Sequence, residues 1–304
     1  MIVPSPLKQG DKIGLIAPSR KVTHDNLALS VAMIEKWGYQ VVFGESLYDE
    51  YHQFAGTDED RADDFIRMVI NPEVKAILCA RGGYGTVRIL ENLDPGLLRN
   101  NLKWIIGYSD ITVLHSYFNK VIGSETIHAT MPINLISDIK PNDSWEKLGQ
   151  VLCGDLIDYE VPVHEFNRTG KVSGMLVGGN LSVLFSLRGT FCDLDTDDRI
   201  LFIEDLDEYL YHIDRMMMNL KIAGKLENLK GLIIGAMTDM KDNTIPFGKT
   251  AYEIIADAIN DYDYPVAFNF PAGHCEPNLP LILGRNIILD VGEDKVKLEF
   301  FSKK

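Results

Sequence analysis

The segment Gly107-Tyr108-Ser109-Asp110 carries the clearest chemical signal in the chain. The apolar residues 104–106 lead into it, and residues 111–118 follow with a pattern that predicts a helix. Hydrolases place a nucleophilic serine on such a turn, because the turn exposes the hydroxyl and the helix N-terminus offers free N–H groups to an oxyanion. Ile111 replaces the second glycine of the usual G-x-S-x-G pattern. Since serine is also a favoured N-cap, both interpretations of Ser109 stay open here.

Two further polar residues follow apolar runs of the kind that form buried strands. Glu204 comes directly after the run 200–203, and His274 lies in the loop that follows 265–270. In open α/β sheets, ligands bind beyond the carboxyl ends of the strands, so both residues and Ser109 suit one site. Together they supply a hydroxyl, an imidazole base and a carboxylate that orients the base. The ordinary alternatives are a solvated loop histidine and an acid that begins a helix.

A glycine-rich segment, Arg81-Gly82-Gly83-Tyr84-Gly85, lies between the predicted strand 74–80 and a predicted helix over 86–93. Consecutive glycines let the backbone approach a ligand and present N–H groups to negative charge. A dinucleotide fingerprint would need glycine at position 88, which is Arg88, so we do not expect a dinucleotide site. A glycine-rich turn without a ligand remains the alternative.

Two other patterns match ligand-binding loops only in part. The acids at 193, 195 and 197 with Glu204 resemble a calcium loop, but Asp198 stands where the required glycine should be. Residues 248–250 resemble the end of a P-loop, but position 243 is not glycine and Pro246 interrupts the segment. The histidines show no metal-binding spacing. We therefore predict neither a metal nor a cofactor.

Composition restricts the class of protein. The chain has 304 residues, 46% of them hydrophobic and 24% charged, which is typical of a globular protein with two domains. Its net charge of −14 argues against nucleic-acid and membrane partners. The four cysteines are far apart and suggest reduced core thiols, and no signal peptide or membrane helix is evident. We expect a cytoplasmic protein.

The chain alternates strand-like and helix-like segments, which predicts a parallel sheet with helices on both faces. We expect a first domain over 1–134, a linker over 135–164 and a second domain over 165–304. In the second domain, strands are predicted at 174–177, 200–203, 231–236, 265–270 and 296–300, and helices at 181–188, 208–222 and 250–260.

Taken together, these segments resemble the LD-carboxypeptidase family of serine peptidases, the murein tetrapeptide carboxypeptidases, almost from end to end. The resemblance rests on Ile16-Ala17-Pro18-Ser19, Ala55-Gly56-Thr57-Asp58, Ala80 to Gly85, Gly107 to Asp110, Gly178-Gly179-Asn180-Leu181, Phe202-Ile203-Glu204-Asp205 and Ala272-Gly273-His274. It implies a flavodoxin-like N-terminal domain and a smaller, β-rich α/β C-terminal domain. The active site would lie between them, and the family is usually homodimeric.

The resemblance also implies roles for individual residues. Ser109 would be the nucleophile, His274 the base and Glu204 the acid of the triad. The oxyanion would be bound by the backbone N–H of Asp110 and of a glycine in the 82–83 pair, for which we favour Gly83. The triad would span both domains, so neither half should be active alone.

The implied reaction is release of a terminal D-alanine from cytoplasmic murein peptides by hydrolysis of an L,D-peptide bond. Substrate contacts are expected at Arg81, Gly82 and Tyr84, with Arg81 or Arg88 pairing with carboxylates. The related microcin self-immunity branch cleaves peptidyl-nucleotides, for which Phe191 would offer a stacking platform. A non-catalytic protein that binds anions at residues 81–85 is the alternative from another class.

Overall fold

The computed structural model describes residues 1–135 and 143–301, which form two sheets. The first sheet has six strands in the order β11-β5-β4-β3-β1-β2. Its members are β1 (Lys12–Ile16), β2 (Gln40–Phe43), β3 (Val74–Cys79), β4 (Trp104–Gly107), β5 (Thr126–His128) and β11 (Leu281–Leu283). The strands β1 to β5 pair in parallel in the flavodoxin order 2-1-3-4-5, as the sequence predicts.

Helices cover this sheet. They are α1 (His24–Lys36), α2 (Asp58–Ile70), α3 (Pro95–Asn100) and α4 (Thr112–Tyr117). Thr57 begins α2 with a reciprocal cap, since its hydroxyl accepts from the N–H of Asp60 while the Asp60 carboxylate accepts from the N–H of Thr57. The helix predicted over 86–93 is a 3₁₀ helix, Thr86–Asn92, that follows directly from the glycine loop.

The second sheet has seven strands in the order β10-β9-β8-β7-β12-β13-β6. Its members are β6 (Tyr159–Pro162), β7 (Gly170–Asn180), β8 (Arg199–Leu206), β9 (Gly231–Thr238), β10 (Val266–Ala267), β12 (Asn286–Val291) and β13 (Lys295–Phe300). The strands β7 to β10 are parallel, whereas β12, β13 and β6 are added antiparallel. The predicted helices are α6 (Leu181–Ser186), α7 (Leu210–Ile222) and α8 (Ala251–Ala258).

Part of the expected linker over 135–164 is regular secondary structure. Helix α5 (Asp143–Cys153) buries Trp145, Leu148 and Leu152, which lie three and four residues apart on one helical face. Strand β6 pairs with β13 at the edge of the second sheet. Residues 136–142, which include the polar stretch that suggested a linker, lie outside the described residues.

One strand of the first sheet comes from late in the sequence. Strand β11, late in the sequence, pairs antiparallel with β5 and thereby completes the first sheet. Close to this strand, the guanidinium of Arg285 donates to the buried carboxylate of Glu125 over 2.5 and 2.9 Å. A late segment of the chain, which continues into β12 of the second sheet, therefore also belongs to the sheet whose strand β4 leads to Ser109.

The cysteines only partly meet the expectation of core thiols. Cys79 and Cys192 are buried, but Cys275 is half-buried and Cys153 is exposed, and all four are free. Among the described residues, no helix combines the length and the apolar character that a membrane span requires.

Candidate active site

The turn after β4 has the backbone of a strained elbow. Ser109 has a φ of +62°, a left-handed conformation that a non-glycine residue adopts at a cost of roughly 1–3 kcal/mol. Gly107 has a φ of +154°, and a methyl group built on it would lie 2.9 Å from the Ile111 side chain. An N-cap residue has extended backbone, so Ser109 is not a cap of the helix that follows. The turn residue before it, Tyr108, takes the cap position, and the role of Ser109 as a nucleophile stays a prediction.

Asp110 anchors this turn through its side chain. Its Oδ2 accepts hydrogen bonds from the Ser19 hydroxyl over 2.5 Å and from the backbone N–H of Thr86 over 2.9 Å. The hydroxyls of Ser19 and Thr86 also bond each other over 2.7 Å. All three residues are buried. The loops that follow β1, β3 and β4 are thus tied together beneath Ser109.

The glycine loop packs directly against the elbow. A methyl group built on Gly82 would lie 2.9 Å from Cβ of Ser109, 3.0 Å from its Oγ and 3.2 Å from the backbone nitrogen of Asp110. At Gly83, with a φ of +118°, a methyl would instead meet the side chain of Arg20 at 2.5 Å. The buried guanidinium of Arg61 donates to the carbonyl of Gly85 over 2.9 Å. A side chain at position 82 would therefore crowd Ser109 and the turn that carries it.

Glu204, near the carboxyl end of β8, contacts His274 in the loop that follows β10. Oε2 of Glu204 lies 2.7 Å from Nδ1 of His274 and also accepts from the backbone N–H of His274 over 3.2 Å. Glu204 lies within β8, so it does not begin a helix, and its side chain is completely buried. The side chain of His274 is 12% exposed, so the imidazole reaches solvent while its carboxylate partner does not.

The contact with Glu204 affects both the pKa of His274 and the position of the proton on its ring. Burial lowers the pKa of His274, but the charge of Glu204 and its hydrogen bond raise it, and the net shift is upward from the ordinary value. Because an ionised carboxylate only accepts hydrogen bonds, Nδ1 carries the proton in the neutral ring. Nε2 then has a free lone pair, which is the arrangement that a general base needs.

Two glycines leave room for the Glu204 side chain. A methyl group on Gly273, which has a φ of +107°, would lie 2.5 Å from Oε2 of Glu204. On Gly235, in the neighbouring strand β9, a methyl would lie 2.4 Å from the carbonyl of Ala272 and 3.1 Å from Cβ of Glu204. The backbone that carries His274 therefore packs on the carboxylate with no intervening side chain.

Asp205, the second acid at the end of β8, holds the neighbouring turn in place. It is buried and accepts hydrogen bonds from the Asn180 side chain over 2.8 Å and from the N–H of Ser182 over 2.9 Å. Burial, followed by the charge of Glu204, raises the pKa of Asp205 to about 7. This residue holds the turn after β7 and the start of α6 beside Glu204.

An open cleft of about 470 Å³ lies next to the histidine. It is lined by residues from both halves of the chain, including Tyr108, Asn134, Thr238, His274 and Glu276. The ring of Tyr108 lies 4.6 Å from that of His274, so the residue before Ser109 contacts the imidazole directly. Burial and the charge of Glu204 raise the pKa of Tyr108 to about 12, which keeps its hydroxyl neutral. Clefts of this size bind small ligands.

Comparison with known proteins identifies the family of this chain. The LD-carboxypeptidase N-terminal domain matches residues 13–129, and the LD-carboxypeptidase C-terminal domain matches residues 173–289. A probable murein peptide carboxypeptidase from Bacillus subtilis (strain 168) is 34% identical over 97% of this chain and 94% of its own length. The chain belongs to the LD-carboxypeptidase family.

Solved structures agree with this assignment. Muramoyltetrapeptide carboxypeptidase from Oxalobacter formigenes superposes with a TM-score of 0.87, covering 96% of this chain and 99% of that one at 26% identity. The microcin C7 self-immunity protein MccF, in its wild-type apo state, has a TM-score of 0.89 and covers 98% of both chains at 23% identity. At that identity MccF shows the fold alone. As a member of the LD-carboxypeptidase family, the protein is a serine-type carboxypeptidase.

Within this LD-carboxypeptidase framework, the remaining candidate residues take different positions. Arg81 is half-buried and donates to the carbonyl of Lys21 over 3.2 Å. Tyr84 is 47% exposed on the glycine loop. Arg88 forms an ion pair with Asp58 over 2.7 Å, which engages its charge elsewhere. Phe191 is 58% exposed and packs edge-on against Tyr117 at the far end of α4, at a ring distance of 6.0 Å.

The calcium-like pattern and the P-loop-like pattern both have structural explanations. Asp193 forms an ion pair with Lys225 over 2.9 Å, while Glu204 turns towards His274, so the acids of the calcium-like pattern diverge. Thr250 caps α8 by accepting from the N–H of Glu253. Within residues 1–135 and 143–301, no group of three or more His, Cys, Asp or Glu side chains is placed to hold a metal ion.

Sequence analysis gave no separate role to three residues that shape the site: Ser19, which bonds Asp110, Tyr108, which contacts His274, and Thr112, whose hydroxyl accepts from the N–H of Asn180 over 2.9 Å. Each acts through a partner that is distant in the chain. Asp205 could have been suspected, since it is the second acid at the end of an apolar strand.

Proposed function

We propose that this LD-carboxypeptidase releases the terminal D-alanine from murein tetrapeptides through a triad of Ser109, His274 and Glu204. The observation that carries the proposal is the pair formed by the buried Glu204 carboxylate and the solvent-reaching His274 imidazole, with the ring of Tyr108 against it. Tyr108 precedes Ser109 on the strained turn, and its contact with His274 supports a single site for the hydroxyl and the imidazole. The family membership supports the same roles.

In this mechanism, Nε2 of His274 removes the proton from Ser109 as its Oγ attacks the carbonyl carbon before D-alanine. The tetrahedral intermediate collapses when His274 returns the proton to the departing amine. A water molecule, activated by the same imidazole, then hydrolyses the acyl-enzyme. Throughout, ionised Glu204 stabilises the imidazolium and holds the tautomer in which Nδ1 carries the proton.

Negative charge on the intermediate would be stabilised by backbone donors next to Ser109. We propose the N–H of Asp110 and an N–H of the Gly82–Gly83 pair, keeping Gly83 as the favoured donor. The direct contact between Gly82 and the elbow supports a donor from this loop. The Asp110 side chain, held by Ser19 and Thr86, maintains the geometry of the turn.

Arg81, Gly82 and Tyr84 are the proposed substrate contacts, with the cleft beside His274 holding the peptide. We also propose that the enzyme acts in the cytoplasm during murein recycling and works as a homodimer. Gel filtration coupled to light scattering tests the last point. Phe191 packs on Tyr117, away from the residues that line the cleft, and this position supports a peptide rather than a peptidyl-nucleotide substrate.

The decisive assay incubates the protein with murein tetrapeptides that contain diaminopimelate or lysine and measures released D-alanine. Ser109→Ala should lower the rate by roughly 10⁴- to 10⁶-fold. Ser186→Ala is the matched control, because its hydroxyl only bonds a carbonyl within α6. Lack of release by the wild type would refute the proposed activity, and equal release by Ser109→Ala would refute the nucleophile. Cleavage of an aminoacyl sulfamoyl nucleoside instead would assign the protein to the microcin-type activity.

A further inference from the structure

Two arginines lie at the glycine loop: Arg20 packs against Gly83, and Arg81 begins the loop. Arg20 lies in the loop after β1 and Arg81 in the loop after β3, and these two strands are paired neighbours in the first sheet. Arg20 is exposed, whereas Arg81 is half-buried and its Nε is buried without a hydrogen-bond partner among the described residues. Both loops follow the carboxyl ends of their strands, where ligands of such sheets bind.

Arg20 and Arg81 differ from the basic residues around them, which form ion pairs with carboxylates. Lys21 forms an ion pair with Glu50, and both Arg61 and Arg88 pair with Asp58. For Arg20 and Arg81, by contrast, the part of the chain that the structure describes offers no carboxylate within 4.0 Å. Burial and then the positive charge of Arg20 lower the pKa of Arg81, as expected for two adjacent cations. Such a pair, in a protein of net charge −14, is suited to an anionic ligand.

Arg20 also has a defined position relative to Ser109, the proposed nucleophile. A methyl on Gly83 would lie 2.5 Å from Cδ of Arg20, and a methyl on Gly82 would lie 2.9 Å from Cβ of Ser109. Because consecutive Cα atoms are about 3.8 Å apart, Arg20 and Ser109 flank two adjacent glycines. Arg20 is further fixed by the bridge between its backbone and Phe54, and by its neighbour Ser19, which bonds Asp110.

We propose that Arg20, together with Arg81, binds the terminal carboxylate of the substrate and thereby makes the enzyme specific for a free C-terminus. The inference rests on the proposed carboxypeptidase function and adds a specificity residue to it. In the leaving D-alanine, the carboxylate lies about one residue length from the attacked carbonyl. A guanidinium binds a carboxylate through two parallel hydrogen bonds, and a long, exposed side chain beside Gly83 reaches over that distance.

The test compares two tetrapeptides that differ only at the C-terminus, one ending in D-alanine and the other in D-alaninamide. Arg20→Gln should raise KM for the free acid by about 10- to 100-fold while kcat changes little, since the interaction is made in the ground state and the transition state alike. Cleavage of the amide should be unchanged. Arg20→Lys should fall between, because an ammonium keeps the charge but not the bidentate geometry. Lys21→Gln removes a neighbouring charge that is paired with Glu50 and should have no effect.

The same peptides should be titrated calorimetrically into Ser109→Ala, with and without Arg20→Gln. The expected result is a loss of affinity on Arg20→Gln for the acid and not for the amide. Equal losses for both peptides, or no loss for either, would overturn the role of Arg20. If the wild type releases no D-alanine, the proposed activity fails, yet this titration still decides whether Arg20 recognises a carboxylate.

Discussion

The hydroxyl oxygen of Thr112 accepts a hydrogen bond from the backbone N–H of Asn180 over 2.9 Å, and so joins the start of α4 to the end of β7. Asn180 in turn donates from its side chain to Asp205 over 2.8 Å, and Asp205 is the chain neighbour of Glu204. Gly179 allows the approach, since a methyl there would lie 2.5 Å from Oγ1 of Thr112. The segment that carries Ser109 is thus positioned against the strand that carries the acid.

Thr112→Val tests this connection. The substitution keeps the shape but removes the acceptor, so the buried N–H of Asn180 loses its partner at a cost of about 1–3 kcal/mol. Unfolding in urea should show this loss, and kcat/KM for D-alanine release should fall with it because Ser109 is less well positioned. Thr112→Ser keeps the hydroxyl and should retain most of the stability and activity. A valine variant as stable as the serine variant would show that the hydrogen bond contributes nothing.

The charge of Glu204 should be visible in the titration of His274. Because the pKa of His274 is raised and the base must be neutral, kcat/KM should increase with pH around a midpoint above 6.5. In Glu204→Gln the raising influence of the carboxylate is lost while burial still lowers the pKa. NMR of the labelled histidine should therefore give a lower pKa than in the wild type. An unchanged value would mean that Glu204 does not control the base.

Gly82→Ala tests whether the glycine loop contributes to catalysis. The added methyl would lie 3.0 Å from Oγ of Ser109 and 3.2 Å from the Asp110 nitrogen, where the oxyanion is expected. We expect kcat to fall by about 10²- to 10³-fold, the usual effect of losing an oxyanion donor. Gly96→Ala, at an exposed position in α3, should be active. Full activity of Gly82→Ala would exclude this loop from the oxyanion site.

Gly273→Ala and Gly248→Ala form a second matched pair. Both glycines have positive φ, at +107° and +86°, so both variants carry backbone strain. A methyl on Gly248 meets no atom within 4 Å, whereas one on Gly273 lies 2.5 Å from Oε2 of Glu204. Gly248→Ala should therefore lose a little stability and keep its activity, while Gly273→Ala should lose at least about 10²-fold in kcat. Similar activities in the two variants would contradict the proposed packing.

The apolar runs next to Ser109 and Glu204 predicted the buried strands β4 and β8, but these strands belong to different sheets, so the sequence pattern alone does not bring the two residues together. The contact of Tyr108 with His274 and the bond from Ser19 to Asp110 were not predictable, since no local pattern encodes a partner so distant in sequence. The short strands β5 and β11 have three residues each, too few to show a periodicity. Helix α5 did leave a signal, in the spacing of Trp145, Leu148 and Leu152.

Strand β11 has a consequence for the way the enzyme is made. Residues 281–283 complete the sheet that carries Ser109, and His274 comes only shortly before them. Ser109 precedes His274 by 165 residues, so a growing chain contains the proposed nucleophile well before the proposed base and strand β11 are made. If the proposed triad is correct, a nascent chain that stops before residue 274 has no hydrolytic activity, and activity begins only once the two sheets can both be completed.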